Sequence, residues 1–250
     1  MKASFVFRRA IQALLPATLL LAACSKSDTP TPAPAVVDNG KIVFINAASH
    51  IAPSTLKFLV DNSEKASLAY GSTSGSYQNI QTGTRPLQVT VGGQPAFSQS
   101  IALDKDKNYT FVATPAQSSS VVSGLLFPDD LTVTDATKAR IRVINLGQSV
   151  TNPIRLSQIT TTVNGPVIAD VVTNVGASAA SPFVNVTANT YSLSILDANG
   201  TTVAQVGDGS GSGTGTKNYE AGKSYTVVVS GTNGSLNVDQ KLKAFVSQNN

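Results

Sequence analysis

The sequence predicts an all-β protein of sandwich or barrel type, and three observations predict it. The chain is rich in Val, Thr, Ser, Gly and Asn, with a single Met and no Trp, and β-branched residues fit strands better than helices. Its apolar residues fall in short runs, "KIVFIN", "TLKFLVD", "LQVTV", "NYTFVAT", "ARIRVIN", "TYSLSIL" and "SYTVVVS". Gly, Asn, Asp and Pro punctuate them at the rhythm of strands and turns. These runs also recur in a fixed order, the mark of a repeated unit.

Residues 1–23 read as a leader. Lys2, Arg8 and Arg9 precede an apolar run from Ala10 to Ala23 that Gln12 and Pro16 interrupt. At ~1.5 Å per residue the run falls short of a ~30 Å hydrocarbon core. A basic start, a short apolar middle and small residues before a cut site form a secretory signal peptide. Leu21-Ala22-Ala23-Cys24 resembles the bacterial lipobox, whose Cys becomes the first residue of the mature chain and carries diacylglycerol on its sulfur. Cys24 is the one cysteine of the chain, so an intramolecular disulfide is excluded. Lipid on Cys24 would hold the protein to a membrane from outside the cytoplasm. Residues 24–40 then form a tether: Pro30, Pro32 and Pro34 among small polar residues favour an extended spacer. No Asp follows Cys24 directly. By resemblance to other bacterial lipoproteins this favours the outer membrane of the cell envelope, on its periplasmic or its surface-exposed face.

Losing the leader changes the charge. The 18 basic side chains less Lys2, Arg8 and Arg9 leave 15 against 14 acidic ones, so net charge falls from +4 to +1. A nucleic-acid partner needs a clustered basic face, and none is visible. Arg140 and Arg142 alternate along one run, the pattern of a solvated sheet face.

The repeat divides the rest into domain 1, residues 41–135, and domain 2, residues 136–250, joined near "PDDLTVTDATK". "KIVFINAAS" (41–49) matches "RIRVINLGQ" (140–148), and "FLVDN" (58–62) matches "TTVNG" (161–165). "SYQNIQTGTRPLQV" (76–89) matches "PFVNVTANTYSLSI" (182–195), with Asn79 over Asn185 and Leu87 over Leu193. "KNYTFVAT" (107–114) matches "KSYTVVVS" (223–230), with Tyr109 over Tyr225. Each unit opens on an apolar strand ending in Asn, turns through Asp-Asn or Asn-Gly, and closes on a "Y-T-x-V" strand. Tyr109 and Tyr225 are expected to bury their rings and bond their hydroxyls to backbone, as in a tyrosine corner.

In "FLVDN", "AYGSTSGSYQNIQTGTRPLQV" and "YEAGKSYTVVVSG" the chain resembles the domain of unknown function 4397 (DUF4397) family. The likeness covers most of 41–135 and, more loosely, 136–232. It implies two tandem Ig-like antiparallel β-sandwich domains in a secreted or lipid-anchored bacterial protein. The family has no established activity, so the likeness brings no chemistry. The chain departs from the family in its "INAASHIAP" opening, where "VHASPDAP" is usual.

Catalytic patterns are incomplete. A Ser-His-Asp triad would rest on His50, the one histidine, and needs a nucleophile on a strained elbow. "GSTSG" (71–75) has Thr73 at its centre, and its counterpart "GASAA" (176–180) lacks the second Gly. One histidine and no second thiol argue against zinc. Asp104, Asp106 and Asn108 fit the first half of a Ca²⁺ loop, but Tyr109 stands at the glycine position and Pro115 where the bidentate Glu belongs. They are a weak calcium candidate, with a tight turn before a strand as the alternative. "GDGSGSGTGTK" (207–217) leads toward a strand, unlike a phosphate loop, and reads as a flexible loop. Tyr70 and Tyr77 are the residues on which a sugar could stack.

The expected protein is therefore a non-catalytic, lipid-anchored envelope module without a cofactor. It would act in binding or adhesion through a protein or glycan ligand at the sandwich-end loops, or as a structural spacer. The alternatives are an envelope hydrolase and a glycan- or peptide-capture protein.

Overall fold

The computed structural model describes residues 37–116, 121–207 and 215–250. The leader, Cys24, most of the tether and the middle of the Gly-rich stretch lie outside the described residues.

The first half runs through β1 (Asn39–Asn46), a 3₁₀ turn (Ser49–Ile51), β2 (Leu56–Val60), β3 (Ser63–Leu68), β4 (Gln78–Gln81), β5 (Gly83–Val91), β6 (Gln94–Leu103), β7 (Asn108–Pro115) and β8 (Val122–Asp129). The second half follows with β9 (Lys138–Gln148), β10 (Ile154–Thr162), β11 (Gly165–Val175), β12 (Ala179–Ala180), β13 (Val184–Thr187), β14 (Asn189–Tyr191), β15 (Leu193–Leu196) and β16 (Thr202–Gln205). It ends with β17 (Lys217–Tyr219), β18 (Ser224–Thr232), a second 3₁₀ turn (Val238–Gln240) and β19 (Lys243–Gln248). The protein is all-β, as the composition and the run lengths predict.

Four sheets build the body, and none is closed. Their strand orders are β3-β2-β5-β6, β4-β1-β7-β8, β12-β9-β18-β19 and β11-β10-β15-β16, with β13 also on β9 and a small β14-β17 ladder beside them. Ile42, Phe44, Phe58, Val89, Ile101 and Phe111 belong to a first core between the first two sheets. Phe44, Phe58 and Phe111 meet there with ring centroids 5.4–6.2 Å apart. Ile141, Val143, Leu156, Ile195, Tyr225 and Val227 belong to a second core between the last two. A third apolar cluster, Ile45, Ala47, Val112, Ile144, Leu146 and Val228, joins the two inner sheets. The layers thus stack as outer, inner, inner, outer, and residues 37–250 form one compact unit.

This stacking explains strands that alternate poorly. β1, β7, β9 and β18 carry a core on one face and the seam on the other, and a strand buried on both faces reads as a near-continuous apolar run. In β18, Tyr225, Val227 and Val229 face the second core, while Val228 faces the seam. Most pairs are antiparallel, but β1 runs parallel to β7 and β9 parallel to β18. In each case the chain visits the outer sheet before it returns to pair with its first strand.

Positions matched between the sequence blocks make similar pairings. Ile42 pairs Tyr109 and Ile141 pairs Tyr225. Lys41 pairs Asn79 and Arg140 pairs Asn185. Asn46 and Asn145, the residues closing "VFIN" and "RVIN", are both fully buried. Asn46 Nδ2 donates to the Leu68 carbonyl at 2.9 Å and Asn145 Nδ2 to that of Val175 at 3.2 Å. Their Oδ1 atoms accept from the amides of Ala48 and Gly147. A buried amide must find such partners or lose its hydration uncompensated.

Candidate functional site

The most polar feature inside the body lies where the inner sheets meet, at the end where β1, β7, β9 and β18 begin. Register fixes its members. Thr110 on β7 and Thr226 on β18 face the seam because their neighbours Tyr109, Phe111, Tyr225 and Val227 face the cores. Arg142 follows the same alternation on β9. Its Nη2 lies 2.6 Å from Asp129 Oδ1, at the end of β8, and both side chains are out of water, at 2% and 0% exposure. Asp129 Oδ2 accepts from the Thr110 hydroxyl at 2.7 Å and from the Tyr77 hydroxyl. Arg142 also donates from Nη2 to Thr110 Oγ1 and from Nε to Thr226 Oγ1, at 2.8 and 2.9 Å. Thr226 Oγ1 donates to Asn249 Oδ1, and Asn249 Nδ2 donates to the Tyr77 oxygen. The guanidinium stacks on Phe183, 4.6 Å from the ring centroid.

Arg140 and Arg142 are therefore not on a solvated face. Both are buried, because the seam covers the side of β9 on which they lie. Arg140 donates to the Asp130 carbonyl at 2.9 Å and shares the Phe183 ring. Burial, then the Asp129 carboxylate beside it, pushes the Tyr77 hydroxyl far above its ordinary pKa. The Tyr77 hydroxyl is a neutral donor to Asp129. Asp129 Oδ1 has no hydrogen-bond partner and is held by its ion pair with Arg142, while the other groups named here are hydrogen-bonded, and such a network rigidifies.

Beside it opens a cavity of about 590 Å³, lined by Asp104, Asp106, Lys107, Asn108, Asp129 and Asp130 among others. The calcium candidates Asp104, Asp106 and Asn108 share this wall. Asp104 Oδ2 accepts from the Tyr109 hydroxyl at 3.2 Å, and the Asp104 amide donates to the Tyr109 hydroxyl oxygen. Asp106 turns the chain at φ 59° and donates its amide to the Asn39 carbonyl. Asn108 opens β7 opposite Lys41 and Asp129. Among the described residues no three His, Cys, Asp or Glu side chains come together to hold a metal ion. The Tyr109 and Tyr225 hydroxyls each accept a backbone amide five residues upstream, from Asp104 and Glu220, at 3.2 and 3.1 Å, which is the corner the sequence predicts.

"GSTSG" is strapped to the edge of β1. Ser74 Oγ accepts from the Phe44 amide at 3.1 Å and donates to the Ser76 carbonyl. Thr73 Oγ1 accepts from the Gly75 amide at 2.9 Å. Ser181 Oγ holds the Val143 amide in the same way at 3.0 Å. His50 sits half-buried in the first 3₁₀ turn. Cys24 lies outside the described residues. Sequence reasoning missed the Arg142–Asp129 pair; the available signal was two arginines inside a run otherwise as apolar as a two-face-buried strand.

The fold and site define an all-β body of stacked sheets with a buried polar lock. Residues 40–152 match the family described as Domain of unknown function (DUF4397). The match spans β1–β8 and β9, so it crosses from the first core into the second. No curated protein matches the chain.

Proposed function

We propose that the mature chain is a lipid-anchored, non-catalytic module of the bacterial envelope, carrying diacylglycerol on Cys24. Its body would consist of two copies of one β unit, 41–135 and 136–250, acting in binding, adhesion or spacing at the outer membrane. The observation that carries the reading is Leu21-Ala22-Ala23-Cys24, followed by Pro30, Pro32 and Pro34 and then a body whose first strand starts at Asn39. The matching bonds of Asn46 with Asn145, Ser74 with Ser181 and Tyr109 with Tyr225 support the two copies. The hydroxyls of Thr73 and Ser74, held to backbone, support a loop that closes a sheet edge rather than one that attacks a substrate.

Fractionation of cells expressing the wild-type and Cys24→Ala chains tests it. The wild-type chain is expected in detergent-soluble membrane fractions, and the Cys24→Ala chain in the aqueous phase. Equal sedimentation of both with membranes contradicts the reading.

A further inference from the structure

We propose that the tip of the β10–β11 hairpin is a second lipid contact, seating the body on the bilayer by the end at which the tether enters. The inference rests on the proposed anchoring through Cys24 and adds which surface meets the membrane.

Chain direction places the two features together. The Arg142–Asp129 pair and the bond from Arg140 to the Asp130 carbonyl bring the start of β9 beside the end of β8. The end of β8 pairs with the start of β7, and the start of β7 with the start of β1. β10 begins near the far end of β9, where Asn152 accepts from Asn145 at 2.7 Å, and runs back. Its turn at Val163–Asn164 therefore lies at the end where β1 starts. Val37, where the described chain begins, lies at that end too. The 13 residues from Cys24 to Val37 span at most ~45 Å, which keeps this end within reach of a lipid surface.

The tip has the chemistry of a shallow insertion. From Gln158 to Ala169 there is no charged side chain. Val163 is fully exposed, and Val167 and Ile168 are exposed beside it. Ile168 pairs with Ile159, and Pro166 with Thr161, so one face of the ribbon carries aliphatic groups to the turn. The corresponding β2–β3 hairpin is built for water. Its tip carries Asp61 and Asn62, with Lys57–Glu64 and Arg85–Asp61 ion pairs around it. An aliphatic tip gains by leaving water for the acyl boundary, and an uncharged one loses little there.

The chain has no Trp, so a single introduced Trp reports one place. Lipidated Val163→Trp protein is reconstituted in phosphatidylethanolamine–phosphatidylglycerol vesicles, with and without brominated acyl chains. Leu236→Trp is the control, equally exposed at 97% but in the loop after β18, at the opposite end. The proposal expects blue-shifted, bromine-quenched emission from Val163→Trp and water-like emission from Leu236→Trp, and Ile168→Asp added to the Val163→Trp chain should remove the quenching. Circular dichroism confirms that each variant is folded. Water-like emission from both reporters overturns the proposal, and so does equal quenching of both. The mass of Cys24 in the same sample separates the two readings. A lipidated chain without quenching sinks this inference alone, whereas an unmodified Cys24 sinks the anchoring with it.

Discussion

Arg142, third in "RIRVIN" as Val43 is third in "KIVFIN", carries the charge of the buried network between the inner sheets. Removing one partner of a buried ion pair leaves a charge without water or counter-charge, which costs about 3–5 kcal/mol. Asp129→Ala is thus expected to lower unfolding free energy in urea by that amount. The double variant Asp129→Leu, Arg142→Met, which removes both charges, is expected to recover most of it. A double variant as unstable as the single would show that the lock works by shape rather than charge. The tyrosine corners are a smaller effect: Tyr109→Phe and Tyr225→Phe should each cost about 1 kcal/mol. Asp130 and Asp135 contribute to the acid limb. The Thr132 amide holds the Asp130 carboxyl below its ordinary range, and the Thr137 hydroxyl and then its amide do so for Asp135. Because these folded values are lowered, the stabilisation is complete above the ordinary carboxylate pKa of about 3.9 and lost as pH falls through the lowered values. Carboxyl carbon NMR titration should find both midpoints below the ordinary value; midpoints above it contradict the assignment.

At the scale of elements, the runs, the Asp61-Asn62 turn and the corners are legible in the sequence because they are local, whereas the second hairpin turns at Val163–Asn164, one residue before the expected Asn-Gly pair. "FLVDN" forms the expected two-residue turn, with Asp61 and Asn62 at φ 51° and 60°. Left-handed backbone is costly for a β-branched residue, so Asn62→Ile should lose about 1–2 kcal/mol, measured as a fall in the urea midpoint. Gly124 on β8 is as demanding for another reason: a Cβ there would collide with the Phe111 ring and lie 2.6 Å from that of Phe97. What the sequence does not reveal is which sheet lies behind a run. "RIRVIN" and "SYTVVVS" alternate too poorly for strands buried on one face, yet neither names its cover. Their outer faces are covered by β1 and β7, about a hundred residues away in the chain, and no local pattern names that partner. The parallel β1–β7 and β9–β18 pairs are hidden for the same reason.

Across the whole molecule, the two cores share the apolar seam of Ile45, Val112, Ile144 and Val228. Halves joined by such a surface should unfold together, so thermal unfolding of the mature chain should be a single transition. Val228→Asp, which sets an unpaired charge in the seam, should split it into two. The candidate site was legible only in part. The order of the repeated blocks and the turn at Asp104 can be read from residues in succession, while the network of Tyr77, Asp129, Arg142 and Asn249 assembles from four separate segments. The measurement that tests the account most directly is the intact mass of the mature protein extracted from envelopes. The account predicts a chain that starts at Cys24 and carries diacylglycerol on its sulfur. A chain that retains residues 1–23, or one with a free thiol at position 24, would contradict it.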